Sequence, residues 1–265
     1  KRYDDIDILF VGNDDRMEAK EVPAHGYQFK GLHASGLTGG IVNKMKALLL
    51  MAKAYRKALR IIEDFKPDIA IGFGGYVSAP VMLAAHKKHV KTMIHEQNSI
   101  VGVSNKMVAN YMDAIVICYE KCFEEFGREK TRLLGNPRAT NAVQVKFDEA
   151  YYRSLGLSMD KPLILVVMGS LGSSSINAIM KDVLPKIDNK YQILFVSGKN
   201  NYEEMKSVFP QDNIKVVDYV KQLDIIAKVD LIICRAGATT AAEITALGTP
   251  SILIPSPYVA HNHQF

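Results

Sequence analysis

The chain switches repeatedly between short, continuous apolar runs and longer segments whose apolar residues recur every three or four positions. Runs of the first kind fall at 6–11, 67–73, 90–94, 114–118, 131–134, 163–168, 191–196, 214–217, 230–234 and 251–254, with a shorter extended piece at 27–32. Such runs predict strands buried on both faces. Helical spacing predicts helices at 14–21, 41–65, 77–88, 102–111, 120–126, 149–155, 174–184, 202–209 and 224–228, and a short helix opened by Thr239 and Thr240. Strands and helices alternating at these lengths predict an α/β protein with parallel sheets. The less apolar stretch 139–161 reads as a linker, so the expected domains are 1–138 and 162–265. Both repeat a strand, glycine turn and helix, which predicts two Rossmann-like domains facing a cleft.

The 41–65 helix carries more than a core face requires. Its spacing predicts Ile41, Met45, Leu48, Ala52, Tyr55, Leu59 and Ile62 as the inner face. Leu49, Leu50 and Met51 widen the apolar band, and Lys44, Lys46, Lys53, Arg56, Lys57 and Arg60 precede any acid. Two readings stand: a core helix with a solvated basic face, and a helix resting on an anionic bilayer.

Composition adds bounds. The 265 residues suit two domains, and a 48% hydrophobic fraction supplies their cores. A net charge of +5 favours an anionic partner such as a nucleotide, a phospholipid surface or nucleic acid. Three unpaired cysteines, Cys118, Cys122 and Cys234, fit a reducing compartment. No apolar run reaches the ~20 residues of a spanning helix, and no signal peptide opens the chain.

The stretch 230–264 carries the sharpest chemistry. A strand breaks at Arg235-Ala236-Gly237, a helix follows, and Gly248 and Pro250 end it before the next strand. Free N–H groups at that helix start suit phosphate. Glu243 lies one turn in, on the face of Thr239 and Thr240, where a carboxylate can accept from a ribose diol. Two further glycine turns follow strands, at 72–75 and 169–172. Neither continues as a P-loop or as the dinucleotide fingerprint, which disfavours a nicotinamide enzyme. Ser170 is either a phosphate donor or a helix N-cap. His95-Glu96-Gln97-Asn98 sits at a strand end, where open α/β sheets bind ligands. Glu96 there reads as a general base, or as a group orienting a base or hydroxyl. Arg138 reads as an anion clamp or a surface arginine. His261 and His263 lack a third ligand, so no metal and no cofactor are expected.

In order along the chain stand Gly74-Gly75-Tyr76-Val77-Ser78-Ala79-Pro80, His95-Glu96-Gln97-Asn98, Gly135-Asn136-Pro137-Arg138, Gly169-Ser170-Leu171-Gly172 with Asn177, Arg235-Ala236-Gly237-Ala238-Thr239-Thr240 with Glu243, and His263-Gln264. This set closely resembles the MurG family of bacterial glycosyltransferases over nearly the whole chain. The resemblance implies a GT-B fold and transfer of N-acetylglucosamine from UDP-N-acetylglucosamine to lipid I, giving lipid II with inversion. It implies donor contacts from Asn98, Arg138 and Ser170, a uracil border at Val220, and diphosphate and ribose packing by Ala238, Thr239, Thr240, Ala241 and Ala242. Glu243 would hold the ribose hydroxyls, and Gln264 with His263 the sugar. Gly74, Gly75 and Tyr76 would lie on the acceptor side, and Glu96 is the available catalytic carboxylate. The expected partners are the donor, the lipid I acceptor and an anionic membrane surface at the cytoplasmic face, with no nucleic acid. The family's opening glycine loop, with its histidine, and its segments beyond Gln264 have no counterpart here. The chain as given is therefore expected to be poorly stable and inactive, and the longer protein an enzyme. Another GT-B glycolipid transferase, a UDP-N-acetylglucosamine 2-epimerase and a non-catalytic sugar-nucleotide-binding subunit remain as alternatives.

Overall fold

A computed structural model describes residues 5–34, 41–169 and 172–257, with the side chains of 41–44 and 46 excepted. The chain divides into two compact units at Gly135/Asn136. In the first, β1 (Leu9–Asn13) and β2 (Gln28–Leu32) form a parallel pair. A second parallel sheet holds β3 (Ile69–Gly72), β4 (Lys91–Glu96), β5 (Ala114–Ile117) and β6 (Thr131–Leu133) in chain order. The helices are α1 (Glu18–Ala24), α2 (Ile41–Phe65), α3 (Ser78–Lys87), α4 (Val103–Val108) and α5 (Phe123–Phe126).

Helix α2 spans the predicted range, and the second half of its predicted face holds, with Ile62 buried and Tyr55 and Leu59 packed partly buried beside it, but the first half does not. Ala47, Ala54, Ala58, Ile61 and Ile62 are buried, whereas Met45 and Leu48 are exposed, as is Ala52. Ala58, Ile61 and Ile62 share a core with Ala84 and Ala85 of α3. Small residues let two helix backbones approach closely, and that packing outweighs the larger apolar side chains. Met45, Leu48 and Leu49 are left 61, 55 and 64% exposed.

Asp113 secures the turn into β5. Its Oδ2 accepts from the Thr92 backbone N–H at 2.8 Å and the Thr92 hydroxyl at 2.9 Å. These bonds, the backbone one foremost, hold its carboxyl below the usual carboxylate range. A depressed folded-state pKa gives stability that is present above the unfolded value and lost as pH falls through the folded one. Asp113→Asn should therefore lower the urea midpoint at neutral pH, and this deficit should shrink in acid, as parallel unfolding curves would show.

The second unit opens with α6 (Pro137–Gln144), which runs into the 139–161 stretch expected as a linker, and α7 (Glu149–Ser154), which lies within it. Asn136 caps α6, its Oδ1 accepting from the Arg138 N–H at 3.0 Å, and Pro137 takes the first helical position. Then come β7 (Leu163–Val167), α8 (Ser174–Val183), β8 (Gln192–Val196), α9 (Tyr202–Val208), β9 (Ile214–Val217), α10 (Gln222–Ile225), β10 (Leu231–Cys234), α11 (Ala238–Leu247) and β11 (Ser251–Leu253). The strands are all parallel in the order β11-β10-β7-β8-β9. Strand β7 is buried throughout. Leu163, Leu165 and Val167 enter one core, and Ile164 and Val166 enter the other, as a two-residue period dictates for a sheet covered on both faces.

Candidate functional site

Chain order reverses between β7 and β10, which lie side by side although two strands separate them in sequence. Loops leaving such neighbours diverge and open a crevice beyond the strand ends. Two adjoining hollows of about 420 and 410 Å³ lie there, sharing Val167, Gly169, Gln222 and Thr240. Gly172, Ser173, Arg235 and Gly237 line the first, and Arg138, Tyr219, Val220, Thr239 and Glu243 the second.

Glu243 is 3% exposed. Its Oε1 accepts from Arg138, with Nη2 at 2.6 Å and Nε at 2.8 Å. Its Oε2 accepts from Gln222 Nε2 at 3.1 Å. The buried charge is thus neutralised and held in one orientation. Oε2 keeps a lone pair for a further donor such as a hydroxyl. Helix α11 begins at Ala238, and Thr239, Thr240 and Glu243 border the same hollow, as their spacing predicts. Ala238, Ala241 and Ala242 sit in the first two turns without lining it. Val220 is 5% exposed and belongs to the core, and it borders the space together with its neighbours Tyr219 and Lys221. Ser170, His263 and Gln264 lie outside the described residues.

Gly172, two residues before α8, is closely packed. Gly172 has φ +72°, and a Cβ there would meet the Ser197 carbonyl oxygen at 2.3 Å, so no other residue fits. Asn177 donates to that same carbonyl at 2.9 Å. Ser173 is the N-cap residue of α8, yet its side chain makes no capping bond. It accepts instead from Arg235 Nη2 at 3.0 Å.

The first unit gathers a second cluster at the ends of β3 and β4. Glu96 is 2% exposed, and both its oxygens are engaged. Oε1 accepts from Asn98 N at 3.0 Å and Nδ2 at 3.3 Å, and Oε2 from Gly102 N and Asn105 Nδ2, both at 2.9 Å. Gly74 and Gly75 both have positive φ, and Ser104 donates to the Gly75 carbonyl at 2.7 Å. Tyr76 is 51% exposed beside them in the chain. Cys122 donates to the Asn98 carbonyl at 3.2 Å. Burial first, and the Glu96 charge second, push the Cys118 and Cys122 thiols up to about 11, which keeps both protonated at neutral pH. Sequence reasoning missed Gln222, Ser173 and Tyr219 as site residues, and Arg235 as more than a turn; their positions depend on strand order, not on a local motif.

Comparison with known proteins agrees with this geometry. Residues 2–117 match the glycosyltransferase family 28 N-terminal domain, and 163–265 match the C-terminal domain of that family. The chain is 39% identical to the UDP-N-acetylglucosamine–N-acetylmuramyl-(pentapeptide) pyrophosphoryl-undecaprenol N-acetylglucosamine transferase of Limosilactobacillus reuteri, covering 98% of this chain and 73% of the relative. It is 40% identical to the protein of that name from Halalkalibacterium halodurans, over 100% and 74%. Among solved structures it is similar to MurG of Acinetobacter baumannii, with a TM-score of 0.74 and 25% identity over 97% of this chain and 73% of that one. A putative UDP-N-acetylglucosamine 2-epimerase from Listeria monocytogenes gives a TM-score of 0.65 at 11% identity, over 93% of this chain and 70% of that one, and shares the fold alone. With two parallel-sheet units of this kind the fold is GT-B, and the chain belongs to the MurG family within glycosyltransferase family 28.

Proposed function

We propose that the protein transfers N-acetylglucosamine from UDP-N-acetylglucosamine to the 4-hydroxyl of the muramoyl sugar of lipid I, a undecaprenyl-diphosphate-linked acceptor. The observation that carries this is the buried Glu243, oriented by Arg138 and Gln222 at the crevice of a switch-point sheet, in a chain 39–40% identical to transferases named for that reaction. Glu243 Oε2 accepts from the ribose, and Thr239 and Thr240, at the start of α11, face the diphosphate. The acceptor oxygen attacks the anomeric carbon, the bond to UDP breaks, and its electron pair leaves on the diphosphate. The hydroxyl proton passes to a base. Both oxygens of Glu96 are already occupied, so we assign it to positioning Asn98 and the 96–105 loop, not to taking that proton. Ser170, His263 and Gln264 remain donor contacts, and Gly74, Gly75 and Tyr76 acceptor contacts, in this proposal.

The acceptor is a lipid, and no described helix is long and apolar enough to cross a membrane. Met45, Leu48 and Leu49 form an exposed apolar strip on α2, followed by exposed Lys53, Arg56, Lys57 and Arg60. That arrangement supports peripheral contact with an anionic bilayer, which this proposal places at the cytoplasmic face.

Incubating the full-length protein with radiolabelled UDP-N-acetylglucosamine and a lipid I analogue tests the reading. Label should move to the lipid. Epimerised UDP-sugar would favour the epimerase alternative, and binding without turnover a non-catalytic subunit.

A further inference from the structure

We infer that Tyr151, on α7, is a positioning residue of the donor site: its hydroxyl fixes the 219–222 loop and, through it, the selection of the nucleobase. The inference rests on the donor-site reading above. With the ribose at Glu243 and the diphosphate at the start of α11, the base takes the side of the second hollow bordered by Tyr219, Val220 and Lys221. Val220 carries no polar side chain, so any hydrogen bond it offers a base comes from its main chain. A main chain tells one base edge from another only while it is held still, because hydrogen bonds weaken steeply as distance and angle depart from the optimum.

Helix α7 holds this loop at two points. The Lys221 N–H donates to the Tyr151 hydroxyl at 3.0 Å, and the Asp148 N–H donates to the Asp224 carbonyl at 2.9 Å. The helix is itself fixed. Asp148 caps it, its Oδ1 accepting from the Tyr151 N–H at 2.8 Å. Tyr151 packs partly buried against the core to which Val220 belongs, and Lys221 Nζ lies 5.6 Å from the centroid of its ring. The residue after Lys221 is Gln222, whose amide donates to Glu243 Oε2 at 3.1 Å. One hydroxyl thereby sets the main chain that borders the base and, one residue on, the amide that orients the ribose carboxylate. Tyr151 is not among the residues lining the hollow, so it acts through the loop alone. A tyrosine that only braced the fold would lower the unfolding midpoint and leave base preference unchanged.

Binding of uridine, UDP and CDP to the full-length wild type, Tyr151→Phe, Lys221→Pro and the double variant, measured by displacement calorimetry alongside thermal unfolding, tests this. Tyr151→Phe keeps the ring and deletes the acceptor of the Lys221 N–H. It should weaken uridine and UDP alike by about three- to tenfold, as for one lost hydrogen bond, and narrow the preference for UDP over CDP. Lys221→Pro removes the same bond from its donor side, at a φ of −74° that suits proline. In that background Tyr151→Phe should add less than twofold, which ties its effect to this bond. Undiminished uridine binding by Tyr151→Phe overturns the inference, as do a lowered midpoint with the UDP-to-CDP preference intact, fully additive effects in the double variant, and a wild type indifferent between UDP and CDP. Should Tyr151→Phe fail to fold, Lys221→Pro is judged by the same criterion: uridine and UDP weakened with base preference narrowed supports the inference, and any other pattern overturns it. A wild-type protein that binds no UDP overturns the donor-site reading and this inference with it, whereas wild-type binding with unaffected variants overturns the inference alone.

Discussion

Glu243→Gln should weaken UDP binding by about 10- to 100-fold, the equivalent of one or two hydrogen bonds to a charged group, and leave the protein folded. The side chain keeps its shape, so the packing of α11 is preserved. Its charge is lost, and one of its two acceptors becomes a donor. If the new amide faces Arg138, it opposes the Nε and Nη2 that lie at 2.8 and 2.6 Å in the wild type. If it turns to Gln222, it opposes that residue's amide and removes the oxygen assigned to the ribose. The Arg138 side chain is 47% exposed, so water can solvate the guanidinium and the folding penalty stays small. A ligand lacking the 2′-hydroxyl sharpens the test. Wild type should bind UDP more tightly than 2′-deoxy-UDP, and in Glu243→Gln that preference should collapse. Equal preference in both proteins would show that Glu243 does not hold the ribose.

The strands were legible because apolar runs such as 163–168 and 191–196 have no other stable use in a chain of this composition. The glycine turn and helix start at Gly237–Thr240 were legible because their chemistry is local, and the face shared by Thr239, Thr240 and Glu243 follows from helical geometry alone. The buried face of α2 was legible only in its second half, at Tyr55, Leu59 and Ile62. Periodicity locates a stripe, but the approach of α3 selected the alanines and turned Met45 and Leu48 outward. Helix α6 was hidden for a different reason. Asn136-Pro137 is a sound start signal, yet of the eight residues of α6 only Ala142 is buried. Arg138 could be suspected as an anion clamp, but its partner lies 105 residues on. Arg235 reads as part of a turn until β10 is known to lie beside β7. Pairings of that range come from sheet order, which no local pattern encodes.

Glu96→Gln should cost about 3 kcal/mol or more of stability, because a buried oxygen that accepts N–H groups is replaced by a donor facing them. In the native loop four donors converge on two oxygens: Asn98 N and Nδ2 on one, Gly102 N and the Asn105 amide on the other. Either orientation of a glutamine sets an NH₂ against two of them, and at 2% exposure no water can intervene. The turn that presents Asn98 should loosen, and transfer should fall through poorer positioning. This outcome separates the two roles a carboxylate can play at this place. A positioning residue changes the unfolding midpoint and the rate but leaves the shape of the pH–rate profile alone. A general base does the reverse: its amide removes the acid limb of the profile and spares the midpoint. Urea unfolding and the pH dependence of transfer, measured on the same Glu96→Gln protein, therefore decide the matter. An intact midpoint with a lost acid limb would return Glu96 to the role of proton acceptor, and would mean that its four hydrogen bonds rearrange when the acceptor sugar arrives.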